Sequence, residues 1–368
     1  GDQLEMRAVQ LAQKVVRIAA APIVASGTFC HIGASVGVAF FPDDGAFPQA
    51  LRDRVELALD CAKKEGGGRV CLFDAALDAQ IRDRRMLESD LRVAIERGDI
   101  VLHYQPVMSA RTGAVSSLEA LARWDHETRG PIGPEIFIAL AEDCGLIDKL
   151  GGKLLNRACE DMLALPEAVR VAVNLSPQQF KSGDLVHTVR GALQRTGVDP
   201  RRLQLEVTER LVIENTQQTF AQLEELRSLG IQILMDDFGV GHSSLSYFRM
   251  FPFDKVKIDK SFIADIETSK TARAIVEAVI GLGRQLSMGV VAEGVECEQQ
   301  RDLLSELGCT HLQGYLFGKP APLQEVAQLV AGRALPEIAA ALRKRKSHGG
   351  RALTYAKRSA GSTTESRY

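Results

Sequence analysis

Hydrophobic positions change period many times along this chain, and each change marks an expected element. Helical spacing from Leu4 to Ala20 gives way to strand-like alternation from His31 to Phe41, then to the turn Pro42-Asp43-Asp44-Gly45. A second helical run covers Pro48 to Lys64, glycines 66 to 68 form a turn, and Arg69 to Phe73 reads as a short strand. A charged helix follows from about Asp74 to Gly98, with Leu87, Leu91 and Ile95 repeating every four residues along one face. From there strands are expected near 100–107, 115–123, 170–175, 203–208, 231–236, 254–258, 288–293 and 309–313. Amphipathic helices separate most of them, among them Lys153 to Leu163, Thr219 to Leu229 and Thr271 to Gln285. Eight strands interleaved with helices predict an α/β chain built on a TIM-like (β/α)8 barrel rather than an open doubly wound sheet. Only Arg111-Thr112-Gly113 joins the first two strands. That is too short for a crossover helix, so the first strand is expected to run antiparallel. The expected organisation is a small α/β segment over residues 1–80, the barrel over 81–335 and a tail over 336–368.

Composition narrows the setting. With 368 residues, 45% hydrophobic and 25% charged, the chain can bury a full core. Its cysteines, Cys30, Cys61, Cys71, Cys144, Cys159, Cys297 and Cys309, are odd in number and never spaced as CxxC. That argues against a disulfide scaffold or a zinc site and fits a reducing cytoplasm. No apolar run reaches the roughly 18 residues that cross a bilayer. The first residue is Gly1 rather than methionine, so a longer parent with upstream domains, one of which could anchor it, is expected. The net charge of -2 hides an asymmetry: from residue 341 onward eight basic residues face only Glu365, a local +7 that leaves -9 for the rest. The acidic body is a poor platform for DNA or RNA, and the tail reads as a solvated, disordered terminus.

The polar residues inside apolar strands carry the candidate chemistry. Glu119, Asn174, Glu206, Asp236 and Glu293 each fall within or at the end of a strand. In a barrel such positions converge on one face, where an ionised carboxylate is tolerable only when paired or bound to a cation. Four carboxylates and a carboxamide are hard oxygen donors suited to Mg2+ or Mn2+. Asp236 and Asp237 are adjacent, and adjacent strand residues face opposite ways, so both can serve one site only if the strand ends there; Phe238-Gly239-Val240-Gly241 is expected to end it. Two metals roughly 4 Å apart could then activate water and hold both oxygens of an in-line phosphodiester displacement. Lys257 would face the same cluster and polarise the water or neutralise the phosphoryl oxygens.

Eight short words stand in one order: Tyr104-Gln105-Pro106, Glu119-Ala120-Leu121-Ala122-Arg123-Trp124, Asn174-Leu175-Ser176, Glu206-Val207-Thr208-Glu209, Asp236-Asp237-Phe238-Gly239, Lys257-Ile258-Asp259, Ala292-Glu293-Gly294-Val295-Glu296 and Gln313-Gly314-Tyr315. In order and spacing, residues 85 to 332 resemble the EAL family of cyclic di-GMP phosphodiesterases. The resemblance implies hydrolysis of cyclic di-GMP to linear pGpG with Mg2+ or Mn2+, in a protein that forms homodimers. It implies that Glu119, Asn174, Glu206 and Asp236 hold one metal and Asp236, Asp237 and Glu293 the second. Lys257 would contact the attacking water, Glu293 would act as base or ligand, Gln313 would complete the site and Glu209 would brace the loop after Asp237. Gln105, Leu121, Arg123, Glu296, Gln313 and Tyr315 would lie on the substrate side. Val240 and His242 depart from the family's loop pattern and bear on regulation rather than chemistry. Residues 1–80 resemble the C-terminal half of a GGDEF domain without its signature loop, so no cyclase activity is expected of them.

Other readings compete. Asp-Phe-Gly occurs in kinases, but no His-Arg-Asp loop or glycine-rich phosphate loop accompanies it here. A Schiff-base role for Lys257 needs a neutral amine, which surrounding carboxylates oppose. Trp124 reads as a packing residue. The functional alternative is a non-catalytic cyclic di-GMP receptor, the usual outcome when the metal ligands are lost; all of them are present here.

Overall fold

The computed structural model describes residues 2–25, 28–64, 66–209, 211, 217–239 and 251–331. Val240, His242 and the basic tail lie outside the described residues. The chain divides into two units between Val93 and Ala94, inside the helix Ala75–Arg97.

In the first unit the helix Asp2–Ala19 precedes a hairpin of β1 (Ile23–Ala25) and β2 (Thr28–Cys30). Strand β3 (Val36–Val38) pairs in parallel with β4 (Val70–Leu72), and the helix Pro48–Lys64 packs on that pair. The alternation from His31 to Phe41 predicts a longer strand than forms. Among the described residues its one ladder partner is three residues long, so hydrogen bonding stops at Val38. Gly37 is where helix and strand touch: a Cβ there would sit 2.4 Å from Leu59 N and 2.5 Å from Val55 O. The same unit leaves Leu4, Leu11, Ile18, Phe29, Phe41 and Phe47 exposed.

The second unit is a closed barrel. Its strands are β5 (Ile100–Ser109), β6 (Val115–His126), β8 (Arg170–Leu175), β9 (Leu203–Thr208), β10 (Gln232–Phe238), β11 (Lys255–Ile258), β12 (Gly289–Ala292) and β13 (His311–Gln313). They pair in the order β5-β13-β12-β11-β10-β9-β8-β6, and β5 closes the ring on β6. β5 is antiparallel to both neighbours, while every other barrel pairing is parallel. A short extra strand β7 (Gly130–Ile132), which periodicity does not reveal, extends β6.

Alternation along each strand sorts the residues. Leu118 and Ala120, Val171 and Val173, Leu205 and Val207, Ile233 and Met235, Val256 and Ile258, Val290 and Ala292, and Leu312 enter one buried apolar cluster. The valine, leucine, isoleucine and methionine side chains among them each contribute about 1.5–3 kcal/mol when fully buried. The intervening positions face the barrel interior and are free to be polar. Among the described residues no helix is long and apolar enough to cross a membrane.

Candidate active site

Lys257 is the hub of the interior. It is 2% exposed, and its Nζ lies 2.7 Å from Glu293 Oε1, 2.8 Å from Glu206 Oε2, 3.1 Å from Asp236 Oδ1 and 3.5 Å from Glu119 Oε2. Burial alone would strip the proton from this amine, but the four carboxylates together hold its pKa well above the ordinary lysine value. The carboxylates divide unequally. Burial pushes Glu119 up, yet Lys257 and hydrogen bonds from Gln313 and Asn174 bring it below the usual range. Burial drives Glu206 well up, with Glu119 and Asp236 adding repulsion against the opposing pull of Lys257. Burial raises Glu293 to about 7, with Lys257 opposing and Asp236 and Glu119 assisting.

A carboxamide network fixes Glu119 from the side. Asn174 Nδ2 donates to Glu119 Oε1 (3.0 Å), and Gln313 Nε2 donates to Glu119 Oε2 (2.5 Å) and to Gln105 Oε1 (3.1 Å). Gln105 Nε2 in turn donates to Gly318 O at 3.1 Å. Gln313 Oε1 is buried without a partner, an oxygen donor aimed at the same interior.

The strand ending expected after the aspartate pair is not what brings the two carboxylates together. β10 continues through Phe238, and its register against β11 shifts between Met235 and Phe238. Within that irregularity Asp237 takes φ +54°, the left-handed region that aspartate tolerates better than most residues. Alternation therefore fails for one step, and carboxylate oxygens of Asp236, Asp237 and Glu293 come within 4.8 Å of one another. Burial and the neighbouring Asp236 raise the Asp237 carboxyl. Behind the bulge, Gly239 N donates to Glu209 Oε2 at 3.4 Å, and Glu209 is buried.

Two cavities meet at this cluster. One, of about 290 Å³, is lined by Gln105, Glu119, Lys257, Glu293, Glu296 and Tyr315. The other, of about 480 Å³, is lined by Arg123, Asn174, Asp237 and apolar walls including Ile138 and Leu154. Leu121 borders both. Tyr315 is 59% exposed, with Lys319 Nζ 5.3 Å from its ring centre. A carboxylate-rich, all-oxygen donor set with one unpartnered carboxamide oxygen fits hard divalent cations.

The family model described as the EAL domain matches residues 88–320. The chain belongs to the EAL family. It is 46% identical over 323 residues to an uncharacterized signaling protein of Caulobacter vibrioides, covering 88% of this chain and 40% of that protein. It is 39% identical over 328 residues to the bifunctional diguanylate cyclase/cyclic di-GMP phosphodiesterase MucR of Pseudomonas aeruginosa, covering 88% of this chain and 48% of that protein. Among solved structures, the MucR phosphodiesterase in complex with c-di-GMP superposes with TM-score 0.63 at 42% identity, covering 66% of this chain and 99% of that one. The chain thus spans under half the length of these curated relatives.

Within the EAL domain, sequence reasoning missed three cleft residues. Lys260 lines the smaller cavity, and a Cβ at Gly294, where φ is +70°, would stand 2.5 Å from Lys260 Cβ. Glu142 borders the larger cavity and accepts from Ser176 Oγ at 2.5 Å. Lys319 braces Tyr315. Lys260 was findable, because Asp259 caps the helix Lys260–Ala264 and so turns Lys260 back over the strand end; Glu142 and Lys319 carry no local signal.

Proposed function

We propose that this chain hydrolyses cyclic di-GMP to linear 5'-pGpG with Mg2+ or Mn2+, as part of bacterial second-messenger signalling. The observation that carries the reading is the convergence of Glu119, Glu206, Asp236 and Glu293 on Lys257, with Asp237 brought alongside by the bulge. Glu119, Asn174, Glu206 and Asp236 would hold one ion, and Asp236, Asp237 and Glu293 the other. Bound there, such ions supply Lewis-acid stabilisation of charge on the phosphodiester oxygens and a more acidic water. The chain's own residues do the rest. Water attacks phosphorus, its proton passes to Glu293 or to solvent, and the bond from phosphorus to the ribose 3'-oxygen breaks, that oxygen taking up a proton from solvent to leave as the 3'-hydroxyl. Lys257, held protonated, orients that water and neutralises phosphoryl charge rather than acting as base. Gln105, Leu121, Arg123, Glu296, Gln313 and Tyr315 form the substrate side, and Glu209 braces the loop after Asp237.

The relatives named as phosphodiesterases, and the c-di-GMP in the MucR complex, support the substrate. The multidomain length of the relatives supports a longer parent with upstream domains, and dimerisation through the EAL domain belongs to the same reading. Free cysteines throughout are in keeping with a cytoplasmic location. The test is incubation with cyclic di-GMP and Mg2+ or Mn2+, with and without EDTA, followed by chromatography of the nucleotides. Metal-dependent appearance of pGpG is expected. Binding without turnover would replace the hydrolase with a receptor.

A further inference from the structure

The smaller cavity has a floor and a mouth of different character. Glu119, Lys257 and Gln313 are buried and form its floor, while Lys260, Glu296 and Tyr315 are exposed and form its mouth. The cation of the floor is spent on its own carboxylates, since Lys257 Nζ meets four of them within 3.5 Å. Lys260 is not spent in this way. Among the described residues its amine makes no ion pair or hydrogen bond, and it does not pair with Glu296 in the same lining.

The stem of Lys260 is nonetheless held in place. Asp259 Oδ1 accepts from Ser261 N at 2.9 Å and starts the helix Lys260–Ala264 directly after β11. The bare backbone of Gly294, the residue after Glu293, lets the stem stand against it, with Lys260 Cβ 2.5 Å from where a glycine Cβ would be. A free ammonium is thereby anchored next to the catalytic strand end. The other cations of the cleft are engaged elsewhere. Lys319 Nζ covers the Tyr315 ring and does not line this cavity, and Arg123, in the larger cavity, turns Nη1 to Ala122 O at 2.8 Å.

Cyclic di-GMP makes a demand that the buried cluster does not meet. Its ring carries two phosphodiesters, each with a full negative charge, and one of them reacts. With the reacting one on the floor, the ring turns the other toward the mouth, where Glu296 repels it and a free cation is needed to offset both. We propose that Lys260 binds the second, unreacting phosphodiester of cyclic di-GMP and so favours the two-phosphate ring over a simple phosphodiester. This rests on the cyclic di-GMP reading of the cleft and adds a residue to the substrate side. A contact made far from the reacting phosphorus holds substrate and transition state alike, so its loss appears in KM rather than in kcat.

Steady-state kinetics with Mn2+ on two substrates tests this: cyclic di-GMP, and bis(p-nitrophenyl) phosphate, which has a single phosphodiester. In Lys260→Gln the ratio of kcat/KM for cyclic di-GMP to that for bis(p-nitrophenyl) phosphate should fall about three- to tenfold, the range of an exposed charge-assisted contact, and the fall should lie in KM. Lys260→Glu should lower the ratio further, Lys260→Arg should restore it, and added salt should narrow the gap between wild type and Lys260→Gln. An unchanged ratio, or a loss confined to kcat, would overturn the assignment. If the wild type does not turn over bis(p-nitrophenyl) phosphate, the division between KM and kcat for cyclic di-GMP decides alone. If it binds cyclic di-GMP without turnover, the hydrolase reading fails while the assignment stands or falls on calorimetric titration, where Lys260→Gln should weaken binding by the same factor. Absence of any cyclic di-GMP binding would overturn both.

Discussion

Lys257 shows how one side chain can be both structural and chemical. Its amine offsets four carboxylates that could not otherwise share a dry interior. Lys257→Met should therefore destabilise the metal-free chain by about 3–5 kcal/mol, a cost of the order seen when one partner of a buried ion pair is removed. Urea unfolding in EDTA measures this, and Mn2+ should recover much of the loss by returning positive charge. An unchanged urea midpoint would show that the carboxylates relax without the lysine. Glu293 gives a pH dependence. Its folded pKa of about 7 lies above its unfolded value, so its stabilising contribution is complete below about 4.5 and is lost as pH rises through 7. Metal-free stability should fall across that window in the wild type, and Glu293→Gln should flatten the fall. These residues are legible in sequence as acids inside apolar strands. Their unequal protonation is not, because it depends on which acid also receives the carboxamides of Gln313 and Asn174.

At the scale of elements, the bulge at Asp237 is the feature that alternation could not supply. A regular β10 would send Asp236 and Asp237 to opposite faces. The register shift and positive φ put both beside Glu293. Asp237→Asn keeps a residue at home in the left-handed region and should leave the melting temperature nearly unchanged while weakening Mn2+ binding in calorimetric titration. Asp237→Val adds a β-branched side chain there and should cost about 1–2 kcal/mol as well. Equal stability of the two variants would argue that the conformation is not strained. The helix Pro177–Ser182, which borders the larger cavity, starts from a capping box in which Ser176 and Gln179 satisfy each other's backbone. Ser176→Ala should lower stability by about 1 kcal/mol in chemical denaturation.

Across the whole molecule, two units should respond to different perturbations. Gly37→Ala places a methyl against the backbone of Leu59 and should lower the calorimetric transition of the first unit. Mn2+ should raise the barrel's transition instead, because its candidate ligands all come from barrel strands or their ends. A Gly37→Ala effect on the Mn2+-sensitive transition would show that the units do not unfold separately. By itself the sequence determined the strand order, the antiparallel first strand and the set of inward acids, because period, turn length and polar interruptions of apolar runs are local signals. Tertiary structure decided the rest. Barrel closure set which carboxylates reach Lys257, and the bulge set the orientation of Asp237. Each depends on distances between strands far apart in the chain, which no local period encodes.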